Sequence, residues 1–136
     1  MLNLPVSNLS FLKKAYCDII QSEKDTDQTG KTSSPVSQRK TFIFIDSSYL
    51  SITENIKDER IDRYNYDWYS ASHKLILKFH SEKHEEKSKQ TATEPFHIHV
   101  KGLMDEKRLA NPTFQDLASI MEFIRIFLLV INNYGK

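Results

Sequence analysis

The chain has 136 residues, 39% of them hydrophobic, which is enough apolar surface for one modest core and points to a single domain over 1–136. Lysine and arginine number 19 against 18 for aspartate and glutamate, so the net charge of +1 excludes a global pull toward nucleic acid or an anionic membrane. A single cysteine, Cys17, excludes an intrachain disulfide or thiolate metal cluster and fits a reducing cytoplasm.

Leu9, Leu12, Ala15, Tyr16, Ile19 and Ile20 recur at spacings of three and four, predicting an amphipathic N-terminal helix over 7–22 with Ser7 as its N-cap. Cys17 on this helix reads as a buried structural thiol, because no activating partner is visible beside it. No basic region followed by an apolar stretch precedes the helix, so no secretory signal is expected. The segment 23–40, "EKDTDQTGKTSSPVSQRK", is almost free of apolar side chains and contains Gly30 and Pro35; it is expected to be a mobile linker.

The remainder, 41–136, is expected to form the α+β core. Segments 41–45 and 49–56 flank the turn residues Asp46, Ser47 and Ser48 and read as a hairpin. In 61–69, Tyr64, Tyr66 and Trp68 alternate with Arg63, Asn65 and Asp67. In 73–80, Leu75, Leu77 and Phe79 oppose Lys74, Lys78 and His80. A charged loop over 81–94 leads to a strand at 96–101. Thr113 to Asp116 resembles a capping box and opens a long C-terminal helix. The expected fold is thus an antiparallel sheet of about five strands flanked by an N-terminal and a C-terminal helix.

The end of that helix, 123–131, is apolar nearly all round. It is about half the roughly 20 residues needed to cross a bilayer, so no membrane association is expected. Either the first helix covers it or it docks a partner chain, including a second copy as a homodimer.

The stretch "EPFHIHVKG" holds the candidate site residues. Residues two apart on a strand share a face, so His97 and His99 stand together while Phe96, Ile98 and Val100 point to the core. Three roles remain open at this point: a solvated pair, a metal set completed by His80 or His84, or a general acid and base. The histidines match no recognised metal-binding spacing, and neither a metal nor a cofactor is expected to be required. Two imidazoles near pKa 6.5 suit RNA cleavage, in which the 2′-hydroxyl loses a proton and the leaving 5′-oxygen gains one. Cations for the phosphate exist on the strands at Arg63, Lys74, Lys78 and Lys101. Tyr66 and Trp68 could stack bases, against the alternative that their alternation marks a core face. With three glycines in the chain there is no phosphate-binding loop, and no G-x-S-x-G elbow is present.

The order "DSSYLSITENI", "ERIDRYNYDWYSASHKLILKFHSEKH", "PFHIHVKG" and "NPTFQDLASIMEFI" resembles the TumE-type toxin family of prokaryotic toxin–antitoxin pairs over 41–124. The resemblance singles out Asp46, Arg63, Tyr66, Trp68, His84, His97 and His99, and it implies a toxin with a cognate antitoxin as partner. Joined to the paired histidines, it leads to the expectation of a small metal-independent endoribonuclease. His97, His99 and His84 would be its catalytic groups, and Arg63, Lys78, Tyr66 and Trp68 would bind RNA. The alternative is a non-enzymatic interaction module docking through its apolar C-terminal helix.

Overall fold

The computed structural model describes residues 2–82, 86–101 and 106–131. Seven strands run as an antiparallel meander in which every neighbour in sequence is a neighbour in the sheet: β2 (Ile20–Lys24), β3 (Ser37–Phe44), β4 (Tyr49–Lys57), β5 (Arg60–Tyr69), β6 (Leu75–His80), β7 (His97–Lys101) and β8 (Glu106–Ala110). A two-residue β1 (Leu4–Pro5) pairs with the start of β5. Two helices, α1 (Leu9–Ala15) and α2 (Leu117–Ile126), complete the α+β fold, and α2 continues into a wider π-helical turn at Phe127–Ile131. The sheet therefore has more strands than the five expected.

The period-two pattern of β4 and β5 sets the layers. Leu50 opposes Trp68, Ile52 opposes Tyr66 and Glu54 opposes Tyr64, so these side chains share one face. Phe42 joins that face from β3, and Phe79 from β6. Onto it α2 lays Leu117, Ile120, Met121 and Ile124, followed by Leu128, all buried. Phe123 and Phe127 meet Trp68 edge-on at 6.2 and 5.2 Å between ring centroids, a favoured aromatic geometry.

The N-terminal quarter departs from its sequence reading. The helix spans only Leu9–Ala15, and its cap is Asn8, whose side chain accepts the Phe11 amide. Ile19 and Ile20 keep a helical spacing in sequence, yet Ile19 is buried in the core and Ile20 opens an edge strand paired with Phe44. Tertiary pairing outweighs local propensity there. Cys17 falls in the turn after the helix and is exposed rather than buried. Within 23–40, both ends are strand. The intervening turn is tied by polar contacts: Asp27 Oδ1 accepts from the Thr29 and Lys31 amides and the Thr29 hydroxyl, and Gln28 N–H donates to Ser51 Oγ. The ordering forces are hydrogen bonds and ion pairs, which a hydrophobicity pattern does not register.

The C-terminal helix starts at Leu117, with Asp116 and Ser119 forming the reciprocal cap three residues later than expected. Its apolar girdle is divided by the sheet. One stripe is buried, while Ile126, Leu129, Val130 and Ile131 remain exposed. Tyr16, the C-cap of α1, donates its hydroxyl to the Ala118 carbonyl of α2, and Asp18 in the turn beyond holds Arg125. Among the described residues no helix is long and apolar enough to cross a membrane.

Candidate active site

The face of the sheet opposite the helices gathers the histidines, and strand register explains how. His80 pairs directly with His97, and Lys78 with His99, across β6 and β7. The four positions form a square on one face, with three corners histidine and the fourth lysine. Ring centroids lie 4.6 Å apart for His80 and His99, 4.7 Å for His97 and His99, and 5.7 Å for His80 and His97. Nitrogens of all three rings fall within 4.8 Å of one another. The shared face of His97 and His99 is as strand geometry predicts.

Their burial differs from the solvated alternative. His97 is 0% exposed and His99 5%, whereas the His80 side chain retains 18%. The turn leading into β7 encloses His97, whose Nδ1 lies 3.1 Å from the Pro95 carbonyl and 3.5 Å from Glu94 Oε2. That turn is pinned in place: Thr93 Oγ1 donates to the Phe96 carbonyl and accepts the Asn111 amide at the end of β8. His80 Nε2 lies 3.3 Å from Asp67 Oδ1 on β5, so each of these two rings has a carboxylate on one nitrogen. Such contacts fix which nitrogen carries the proton and how the ring is turned.

Charge surrounds the square on both sides. Lys78 is half-buried, faces Asp67 across β5 and β6, and sits opposite His99. Arg108 of β8 is paired in register with His99 from the other side. Arg63 lies on the same strand face as Asp67 but at its far end, where it makes an exposed ion pair with Glu82 at 3.6 Å. The arrangement thus offers one accessible imidazole backed by two buried ones, with cations at the margin.

Other sequence-derived site residues fall elsewhere. Tyr66 and Trp68 are buried on the helix-covered face: Tyr66 donates its hydroxyl to Glu54, and Trp68 Nε1 donates to Ser48 Oγ. Base stacking on these rings is therefore corrected to a core role. Asp46 accepts from the Ser48 amide and hydroxyl and so shapes the turn that holds Trp68. His84 lies outside the described residues. His73 is apart from the cluster, bonded to the Tyr49 hydroxyl at 2.9 Å.

Glu54 is a feature the sequence did not flag. It is fully buried on the helix side, where it accepts from the Ser7 amide and hydroxyl, Gln38 Nε2 and the Tyr66 hydroxyl. Four donors compensate the burial of a carboxylate. Burial, reinforced by Glu54, pushes the Tyr66 hydroxyl well above its ordinary pKa, so Tyr66 is a donor and not a base. Asp67, Glu94 and Arg108 also went unmarked as members of the histidine face. Asp67 was legible as sharing the open face of its strand, whereas Glu94 and Arg108 arrive through a turn and a strand with no alternation to announce them.

The family described as Toxin TumE matches residues 8–128, most of the chain. No curated protein and no solved structure matches it.

Proposed function

The chain belongs to the TumE toxin family, and on that premise we propose that it arrests growth in the cytoplasm by cutting RNA at the histidine face, held in check by a cognate antitoxin. The observation that carries this reading is the triad of imidazoles with one accessible ring, His80, set against Asp67. His80 accepts the proton of a ribose 2′-hydroxyl, the 2′-oxygen attacks phosphorus, and the bond to the 5′-oxygen breaks. Buried His99, its ring centroid 4.6 Å from that of His80, holds the His80 ring, whose imidazolium returns the proton to that leaving oxygen. Lys78, Arg108 and Arg63 supply positive charge for the phosphate, and the solvent-screened Arg63–Glu82 pair costs little to exchange for it.

This modifies the assignment read from sequence, in which His97 and His99 were the acid and base. Complete burial turns His97 into a positioning residue that supports its two neighbours. His84 keeps its expected assisting role as a residue to be tested by substitution. The reaction requires no metal. Expressing the wild type, His80→Ala and the double variant His97→Ala with His99→Ala at matched protein levels tests the reading. Wild-type growth arrest with relief in both variants is expected, and equal toxicity of all three sinks it.

A second reading is favoured by the exposed strip Ile126, Leu129, Val130 and Ile131. It is a non-enzymatic interaction module that docks a second copy of the chain, as a homodimer, or another partner through this apolar turn. Light scattering of the purified chain distinguishes it: a dimer supports the docking role, and a monomer at all concentrations counts against it.

A further inference from the structure

We infer that His80, His97 and His99 form a binding site for one borderline divalent cation of the zinc class, and that the bound ion is an inhibitory ligand of the proposed RNA-cleaving site. The binding half stands on geometry alone; the inhibitory half rests on the proposed chemistry.

Three imidazoles converge from two adjacent strands, with a nitrogen of each within 4.8 Å of the others. Tetrahedral coordination at about 2.0–2.1 Å needs nitrogens roughly 3.3 Å apart, so ring rotations closing about 1.5 Å suffice. The outer contacts match what a metal-bound histidine requires, namely a hydrogen-bond acceptor on the nitrogen turned away from the ion. For His80 that acceptor is Asp67, 3.3 Å from Nε2, which leaves the lone pair on Nδ1. For His97 the Pro95 carbonyl lies 3.1 Å from Nδ1, an acceptor of the same kind.

Charge also fits. Glu94 Oε2 is buried, makes no hydrogen bond and lies 3.5 Å from His97 Nδ1. Together with Asp67 it places two carboxylates beside the three rings, a donor environment that suits a divalent ion. Lys78 at the fourth corner and Arg108 beside His99 oppose the ion, but both carry long side chains that can turn their charge toward solvent. All-nitrogen donors select zinc, copper or nickel over magnesium or calcium. Once coordinated, the three rings have no lone pair to accept a proton and no proton directed at substrate. The metal-bound protein is therefore the silent form.

The test uses full-length protein stripped with chelator and titrated with zinc against a chromophoric competitor, with cobalt absorption as a second readout. One equivalent per chain is expected. His80→Ala should weaken binding at least tenfold, Asp67→Asn about tenfold or more, and His73→Ala not at all. Thermal unfolding of each variant establishes that it is folded; the His80 side chain keeps 18% of its surface exposed, and its truncation is expected to leave the fold intact. Less than half an equivalent in the wild type, or equal losses in His73→Ala and His80→Ala, overturns the site. RNA cleavage by the stripped protein is then followed with and without one equivalent of zinc. Inhibition supports the regulatory role, and undiminished cleavage by zinc-loaded protein overturns it. If stripped protein cuts no RNA while zinc still binds, the proposed reaction and the inhibitory role fall together, and the metal site stands.

Discussion

The two faces of the sheet bury side chains by opposite means. On the helix-covered face, Trp68, Phe79, Ile52 and Leu50 meet an apolar stripe of α2, and the polar groups present are each closed by a partner: Glu54 by four donors, Trp68 Nε1 by Ser48, and the Tyr64 hydroxyl by the Gln115 carbonyl. On the other face, near-complete burial falls on imidazoles packed against one another, with carboxylates at their backs. Histidine clusters of this kind contribute little transfer free energy compared with an apolar core. The difference teaches that the helix-covered face carries the stability, while the histidine face is where the proposed chemistry would sit, so the two should be separable by substitution.

The largest effect is expected from Trp68→Ala, which removes the ring between Phe123 and Phe127 and should cost about 3–5 kcal/mol of unfolding free energy in a urea titration. A variant that instead kept its stability and lost RNA affinity would return Trp68 to a substrate-binding role and erase the contrast between the faces. Tyr66→Phe comes next. It removes one donor to the buried Glu54 carboxylate, with an expected cost of about 1.5–3 kcal/mol. His80→Ala sharpens the comparison from the other side: the ring is partly exposed, so stability should change by less than about 1 kcal/mol while growth arrest is lost.

The smallest effect concerns the turn over 23–40. Burial raises the Asp27 pKa, but the hydrogen bonds from Thr29 and Lys31 and the charge of Arg39 outweigh it and hold the carboxyl below its ordinary value. For Glu23, burial is likewise outweighed by Lys13 and Lys40. Depressed carboxylates stabilise the fold fully above their unfolded pKa values, 3.8 and 4.5, and lose that contribution as pH falls through the lower folded values. Asp27→Asn should therefore lower the unfolding free energy from a urea titration at pH 7 by less than about 1 kcal/mol, and by progressively less below pH 3.8. A difference unchanged by acid would show that the carboxylate charge does not matter there.

Much of the helix-covered face was legible from sequence, because alternation at Tyr64, Tyr66 and Trp68 and helical spacing at Ile120, Met121 and Ile124 both follow from burial against one partner. The strands β2 and β8 were not. They form the two edges of the sheet, and "IQSEK" and "EKRLA" carry the charges that edge strands tolerate, without an apolar alternation. The common face of His97 and His99 follows from a period of two. Their burial depends on the Glu94–Pro95 turn, and the approach of His80 depends on the register of β6 with β7; neither is encoded locally. Sequence also left Tyr66 and Trp68 open between base stacking and core, a choice decided only by which face α2 covers.

The claim that the histidine face cuts RNA is tested most directly by incubating purified, metal-stripped wild type and folded His80→Ala with a defined RNA and analysing the product ends. The account predicts fragments bearing 2′,3′-cyclic phosphate and 5′-hydroxyl ends from the wild type, and cleavage reduced at least about a hundredfold in His80→Ala. Intact RNA with the wild type, or equal cleavage by the two proteins, would contradict it.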